Sequence, residues 1–104
     1  MKQLKISDYS EYPGGRFSTD GPWAGDQYRD EIYEPALEAN ELLEVDMTGL
    51  KILLPSFVDE AFGPSIKTLG KAEFVRRVSF VYSRENSQAQ LFVEQTIERR
   101  LKSK

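Results

Sequence analysis

The stretch 42–63 of this chain, LLEVDMTGLKILLPSFVDEAFG, constrains the fold most because it joins a strand pattern to a helix pattern. The apolar residues of 42–47 predict a strand that is buried on at least one face. A short turn and a second apolar run follow, and this run ends at Leu54 and Pro55. The next segment, SFVDEAFG, has the pattern of a helix. A strand that leads into a helix in this way is typical of α/β layer structures with parallel pairing.

Strand and helix patterns alternate along the rest of the chain. The predicted strands are 3–7, 16–18, 42–47, 52–54 and 75–82, where 52–54 is either a continuation of 42–47 or a short separate piece. The predicted helices are 24–39, 56–70 with an interruption at Gly63-Pro64, and 89–101, and a turn is predicted at 84–87. Because Pro13-Gly14-Gly15 is a strong turn signal, we expect 16–18 to return as an antiparallel edge. The pattern predicts an α/β fold with a mixed sheet of four to five strands and three to four helices.

The residue types that are missing exclude several classes of function. The chain has no cysteine and no histidine. Disulfides, thiolate metal sites, iron–sulfur clusters, cysteine nucleophiles and a Ser-His-Asp triad are therefore excluded within this chain. Asp8, Asp20 and Asp26 do not form an oxygen-ligand motif such as an EF-hand loop. We predict no catalytic residue, no metal site and no cofactor, and we expect a protein that is not an enzyme.

Length and composition indicate one domain. The chain has 104 residues, of which 39% are hydrophobic and 30% are charged, as is usual for a globular protein. No apolar run approaches the roughly 20 residues of a membrane span. The first ten residues lack the apolar core of a signal peptide. We expect residues 1–104 to form a single cytoplasmic domain that does not interact with a membrane.

Charge is distributed unevenly along the chain. Residues 1–63 carry 5 Lys/Arg against 13 Asp/Glu, and residues 64–104 carry 9 against 4. One interpretation is that the two halves attract each other across the fold. The other is a basic patch for an acidic partner or phosphates, formed by Lys71, Arg76, Arg77, Arg84, Arg99 and Arg100. Nucleic acid is not an expected partner, because the net charge is −3 and no RNA-binding signature is present.

Ser56 is the first candidate functional residue, because it lies where the apolar run gives way to the helix pattern. Ser56 and Asp59 have the spacing of a capping box, in which the serine side chain caps the helix. The alternative is a phosphate acceptor, because a negative charge is favoured at a helix N-terminus. A catalytic serine is a third alternative, although no neighbour in sequence is suited to deprotonate it. Thr48, in the turn after 42–47, is a second candidate for modification.

Glu60 is an unusual residue in the helix pattern, because apolar side chains flank it at Val58, Ala61 and Phe62. It lies either on a solvated face or partly buried in a pair with Arg16 from the Pro-Gly-Gly-Arg turn. Such a pair would fix the loop or hold a phosphate or carboxylate ligand at Arg16.

Four aromatic residues cluster in the same irregular segment as Arg16. They are Tyr9, Tyr12, Phe17 and Trp23. Two interpretations are open: the aromatic side chains fold back as a small satellite core, or they form an exposed surface that contacts a partner.

The order of these features resembles a bacterial family of STAS-like domains of unknown function, which are related in fold to anti-sigma-factor antagonists. The resemblance rests on ISDYSEYPGGRF at 6–17, the predicted helix at 25–37, VDMTGL at 45–50 and SFVDEAFG at 56–63. It implies a mixed sheet with helices packed mainly on one face. In the better-known antagonists this strand-to-helix turn holds a phosphorylated serine or threonine, and a kinase-like ATPase binds beside it. Those antagonists carry Asp-Ser-Ser-Gly at the turn, where this chain has Leu54-Pro55-Ser56-Phe57.

The resemblance implies a non-enzymatic regulatory module that acts by protein–protein contact in signalling. The partner that it implies is a protein, a kinase-like ATPase, and phosphorylation at the turn would switch the interaction. The candidate regulatory or interaction residues are Ser56, Asp59, Glu60, Arg16 and Thr48. The alternative is a domain that binds a small phosphate or carboxylate ligand around Arg16, Ser56 and Glu60, with weak hydrolase or transferase activity.

Overall fold

The computed structural model describes residues 1–84 and 87–102. Its strands are β1 (Lys2–Lys5), β2 (Leu43–Asp46) and β3 (Val78–Val81). Its α-helices are α1 (Ile6–Tyr9), α2 (Gly25–Tyr28), α3 (Glu34–Ala39), α4 (Pro55–Leu69), α5 (Lys71–Arg77) and α6 (Ser87–Lys102). A π-helical segment, Arg29–Tyr33, joins α2 to α3. Within these residues, no helix is long and apolar enough to cross a membrane.

The three strands form one parallel sheet in the order β1-β2-β3. Leu4, Val45 and Phe80 are neighbours across it and face the helices. The opposite face carries the neighbours Gln3, Glu44 and Ser79, and the Gln3 amide donates a hydrogen bond to Glu44 at 2.7 Å. Because side chains alternate along a strand, this pattern places the core on one face and polar groups on the other.

The predicted sheet of four to five mixed strands is wrong, because the described residues contain three strands, all parallel. Residues 16–18 and 52–54 are not strands. The backbone groups of these segments join loops instead. The Gly15 and Arg16 carbonyls accept hydrogen bonds from the first two residues of α2, and the Lys51 and Ile52 N–H groups donate to Glu11. The α/β class of the fold is as predicted. The predicted turn at 84–87 includes residues 85 and 86, which lie outside the described residues.

Two predicted strands are shorter than expected because helices occupy part of them. The first strand ends at Lys5, since Ile6–Tyr9 is helical. The last strand begins at Val78 rather than at residue 75, since α5 continues to Arg77. The Arg77 guanidinium donates to the carbonyls of Leu37, Asn40 and Glu41, which anchors the end of α5 against the end of α3. These long-range hydrogen bonds override the preference of β-branched Val75 for a strand.

Helix α4 lies at the centre of the core and packs against α2, α5 and α6. Phe57, Phe62 and Ile66 are fully buried on it. The Phe62 ring meets the Tyr33 ring edge-on at 4.7 Å between centroids, and it meets Phe80 of β3 edge-on at 5.4 Å. Phe62 therefore packs between β3 and the π-helical segment.

Pro64 lies inside α4 without interrupting it, so the predicted break at Gly63-Pro64 is wrong. A proline has no N–H to donate to the carbonyl four residues earlier, which here belongs to Glu60. Arg29 Nη1 donates to that carbonyl at 3.1 Å. The guanidinium of a neighbouring helix thus replaces the missing donor, and the helix continues.

Pro35 marks a division of the first predicted helix, as expected for a proline. It lies in the first turn of α3, where the missing N–H group of a proline is tolerated. Directly before it, the Glu34 N–H donates to the Arg29 carbonyl, five residues earlier. The wider π turn therefore separates α2 from α3 while the helical path continues.

Replacing Phe62 with alanine should lower the free energy of unfolding by about 3–5 kcal/mol, because it removes an aromatic side chain from between the sheet and two helices. The matched control is Val75→Ala on α5, where the side chain is 56% exposed. Its effect should stay within about 0.5 kcal/mol. Urea denaturation followed by circular dichroism measures both, and equal effects of the two variants would contradict this assignment of the core.

Candidate functional site

Two carboxylates and four arginines meet where α4 begins. The carboxylates are Asp59 and Glu60, and the arginines are Arg16, Arg29, Arg99 and Arg100. We call these six residues the arginine–carboxylate cluster. The arginines come from the 10–24 loop, the π segment and the end of α6. The cluster therefore ties three separate parts of the chain to α4.

Asp59 is buried and binds several arginines at once. Arg16 Nη1 donates to Asp59 Oδ2 at 2.6 Å. Arg100 donates to both carboxylate oxygens, each at 3.1 Å, and to the Asp59 carbonyl at 3.2 Å. Arg99 lies further away, with Nη2 at 3.6 Å from Asp59 Oδ1. A buried carboxylate with such partners remains ionised, because charge-assisted hydrogen bonds offset its loss of hydration.

Glu60 faces the other side of the same helical turn. Arg16 Nη1 donates to Glu60 Oε1 at 3.2 Å, and Arg29 Nη1 makes a short hydrogen bond to Oε2. The partly buried pair of Glu60 with Arg16, one of the two sequence-based alternatives, is therefore present. Arg16 also bridges Asp59 and Glu60, although adjacent side chains on a helix point about 100° apart.

The contacts of the cluster shift the pKa values of Asp59, Arg16 and Arg29. Burial raises the pKa of the Asp59 carboxyl, but hydrogen bonds from Arg100 and Arg16 outweigh burial and hold it below its ordinary value. The hydrogen bond to Asp59 raises the pKa of the Arg16 guanidinium. For Arg29, burial lowers the pKa, yet hydrogen bonds to Asp30 and Glu60 give a net increase. Asp59, Arg16 and Arg29 are thus charged at neutral pH.

Two glycines make room for the cluster. A Cβ atom on Gly63 would lie 2.4 Å from Arg100 Nε, so a larger residue there would displace the guanidinium from Asp59. A Cβ atom on Gly25 would lie 2.8 Å from the Phe57 carbonyl oxygen and 3.1 Å from Glu60 Cβ. Gly25 thus lets α2 approach α4 closely at the position of the two carboxylates.

Ser56 lies in the first turn of α4 and does not cap it. The helix begins at Pro55, its N-cap residue is Leu54, and no side chain caps it. Proline favours the first helical position, which moves the start of the helix one residue ahead of the serine. Asp59 binds arginines instead of completing a capping box. The predicted capping role of Ser56 and Asp59 is therefore wrong.

Ser56 lies instead in an open depression of about 430 Å³ on the surface. The depression is lined by Arg16, Leu54, Pro55, Ser56 and Arg99. Glu60 is not among these residues, and its two carboxylate oxygens accept hydrogen bonds from Arg16 and Arg29. Ser56 and Arg16 are thus brought together as the sequence suggested, and Arg99 takes the place expected for Glu60.

Thr48 is placed in the turn after β2. Its N–H and its hydroxyl both donate to Asp46 Oδ1, at 2.8 and 2.6 Å. This arrangement is an Asx turn that ends the strand. The structure thus gives Thr48 a local role in the turn, and its modification stays a prediction.

Of the four aromatic residues in the 6–24 segment, one packs into the fold and three are exposed, so each of the two interpretations, a satellite core and an exposed surface, holds for part of the set. Tyr9 packs edge-on against Tyr28 at 5.0 Å and donates a hydrogen bond to the Ala24 carbonyl. Burial raises the pKa of the Tyr9 hydroxyl to about 12, so this group is a neutral donor. Tyr12, Phe17 and Trp23 are exposed. The segment therefore has both a packed aromatic residue and an exposed aromatic surface.

The sequence does not indicate Arg29, Arg99 and Arg100 as partners of Asp59 and Glu60, because these residues are far away from the two carboxylates in sequence. Arg100 nevertheless had a detectable signal. It follows Ala89, Val93 and Thr96 at helical spacing on the buried face of α6. A charged residue on such a face needs a buried partner of opposite sign. The cluster also favours the interpretation in which the acidic and basic halves attract each other, since Arg99 and Arg100 bind Asp59.

The fold and the site define a small α/β domain whose strand-to-helix turn carries a serine next to a partly buried cluster of charges. The chain belongs to the family described as a STAS-like domain of unknown function, which matches residues 24–88. The resemblance inferred from the sequence is thereby confirmed. Comparisons with curated proteins and with solved structures found no match. The family match includes Arg29, Ser56, Asp59 and Glu60, whereas Arg16, Arg99 and Arg100 lie outside it.

Replacing Gly63 with alanine should destabilise the wild type by about 1–3 kcal/mol, because Arg100 must leave buried Asp59. In an Arg100→Ala background the same substitution should cost less, because no guanidinium then lies where the added methyl group would be. The measurement is a double-mutant cycle of unfolding free energies. An equal cost in both backgrounds would show that the added methyl group acts through something other than Arg100.

Stability should fall in acid partly through Asp59. Because the folded-state pKa of Asp59 is lowered from 3.8, its contribution is fully present above about pH 5 and is lost as the pH falls through the folded-state value. Asp59→Asn should therefore show a shallower loss of unfolding free energy than the wild type from about pH 5 to about pH 3. Arg100→Gln should flatten the profile in the same direction. Parallel profiles for all three proteins would contradict the role of this ion pair.

Proposed function

We propose that this protein is a non-enzymatic regulatory module that binds a partner protein through the surface around Ser56. Family membership supports the proposal, since STAS-like domains resemble antagonists that act by protein contact. The observation that carries it is the position of Ser56 in an open depression between Arg16 and Arg99. Ser56 is half-buried at this position and shares the depression with two positively charged side chains.

Phosphorylation of Ser56 is the switch that we propose for this module. A phosphoserine carries close to two negative charges and three strong acceptor oxygens at neutral pH. At Ser56 these oxygens would lie among the guanidinium groups that line the depression and would compete with Asp59 for them. The modification would thus change both the charge of the surface and the contacts that hold the 10–24 loop to α4. A kinase-like ATPase is the partner and modifying enzyme that the resemblance favours.

The same depression favours a second candidate function, in which the domain binds a small phosphate or carboxylate ligand. Two arginines and a hydroxyl in one depression suit such an anion. On this alternative, the cluster would hold a free ligand rather than a modified side chain or a partner.

The proposal predicts that wild-type bait captures a protein partner from the host lysate and that Ser56→Glu captures less of it. Both baits are used with and without ATP. The matched control is Ser79→Glu, which adds the same charge to an exposed serine on the opposite face of the sheet. Equal capture by wild type and the control, with a loss for Ser56→Glu, would place the contact at the depression.

Two other results would change the proposed function. Equal capture by all three baits would keep the binding role and remove Ser56 as its switch. Absence of any captured protein, together with calorimetric binding of inorganic phosphate, would favour the small-ligand function. A phosphate group found by mass spectrometry on the Ser56 peptide from host cells would support the switch directly.

A further inference from the structure

Exposed apolar side chains are concentrated on two loops that lie side by side. Tyr12, Phe17 and Trp23 belong to the 10–24 loop, and Ile52 and Leu54 belong to the 47–54 loop. We call these five residues the loop surface. The Lys51 N–H donates to the Glu11 carbonyl at 2.8 Å, which fastens the loops together. A grouping of this kind, with aromatic residues prominent, is typical of protein contact sites.

Trp23 is the most constrained residue of the loop surface. Its φ of +60° is in the left-handed region, which is costly for a bulky residue. Three contacts hold it there: its carbonyl accepts a hydrogen bond from Gly14 at 2.7 Å, Tyr9 packs edge-on against its ring at 5.4 Å, and the next carbonyl binds the Tyr9 hydroxyl. The side chain is still 48% exposed. A fixed, exposed tryptophan reduces the entropy lost on binding.

The loop surface adjoins the depression through Leu54, and the depression has a clear sign of charge. Arg16 and Arg99 line it, and none of its lining residues is a carboxylate. The loop carboxylates Glu11 and Asp20 are not part of the lining. The Arg99 side chain is 55% exposed, and its 3.6 Å contact with Asp59 is the longest in the cluster. A positive depression on a chain of net charge −3 is selective for acidic groups.

We propose that the loop surface and the depression together bind an acidic segment of a partner protein. Apolar side chains of that segment pack on Tyr12, Trp23 and Ile52, and one carboxylate enters between Arg16 and Arg99. The inference rests on the proposed function, because it names the partner chemistry for the same surface. It adds that a carboxylate of the partner provides the recognition, so binding does not require phosphate.

Selection from a random peptide library displayed on phage tests this inference with the full chain as bait. The wild type should enrich peptides that combine Asp or Glu with large apolar residues. Arg99→Gln keeps the Asp59 contacts of Arg16 and Arg100, and it should lose the acidic preference. Arg76→Gln is the control, because Arg76 binds Glu41 and Glu73 at the end of α5. It should enrich the same peptides as the wild type.

Calorimetry with the most enriched peptide then measures how much each substitution weakens binding of the peptide. Arg99→Gln should weaken binding by roughly tenfold, because one charge-assisted contact is lost. Trp23→Ala should weaken it by a similar or larger factor, as for a central aromatic contact. Replacing the acidic residues of the peptide by their amides should abolish the difference between wild type and Arg99→Gln.

Several outcomes would overturn the inference. These are enriched peptides without acidic residues, equal enrichment by wild type and Arg99→Gln, absence of any enriched peptide, and binding of inorganic phosphate alone. The proposed function is judged separately, by capture of a host protein. A captured partner together with no acidic preference would retain the regulatory module and remove only the carboxylate recognition.

Discussion

The burial of Asp59 and Glu60 on one turn of α4 is the constraint on which the rest of the structure depends. Each carboxylate has lost much of its hydration, and each would be strongly unfavourable without partners of opposite charge. The partners come from three segments that are distant in sequence: Arg16, Arg29 and Arg100. The 10–24 loop, the π-helical segment Arg29–Tyr33 and α6 must therefore all reach α4 in a defined position. In this way, charge compensation specifies the arrangement of helices around the core.

Arg29 shows how one side chain meets two requirements of the fold. Its guanidinium neutralises Glu60 and also donates to the Glu60 carbonyl that Pro64 leaves without its helical donor. Without that donation, α4 would contain an unsatisfied carbonyl near the core, which is costly. The helix that presents Ser56 is thus kept continuous by a residue of another element. Arg29 therefore contributes both to the continuity of α4 and to the arginine–carboxylate cluster.

Features that depend on local pattern were predicted well from the sequence, and features that depend on distant partners were not. The strand at 42–47, the helix after Pro55 and the final helix follow from apolar periodicity, and the structure contains all three. The predicted antiparallel strand at 16–18 is absent, because Arg16 is held by α4 and by the start of α2. The capping role of Ser56 is wrong because Pro55 itself starts the helix. The sequence leaves the pairing of Arg16 with Glu60 open as one of two alternatives, and it indicates Arg99 and Arg100 only as members of a basic patch.

The separation between Asp59 and its partner Arg100 has a consequence for folding during synthesis. Arg100 follows Asp59 by 41 residues, so the ribosome releases α4 before the guanidinium that completes its charge compensation. Domains generally fold as units, so a chain that has emerged only as far as α4 lacks part of this domain. Before α6 is synthesised, Arg16 is the one arginine among the described partners of Asp59 that the chain already contains. The arginine–carboxylate cluster is therefore completed only after α6 has been synthesised.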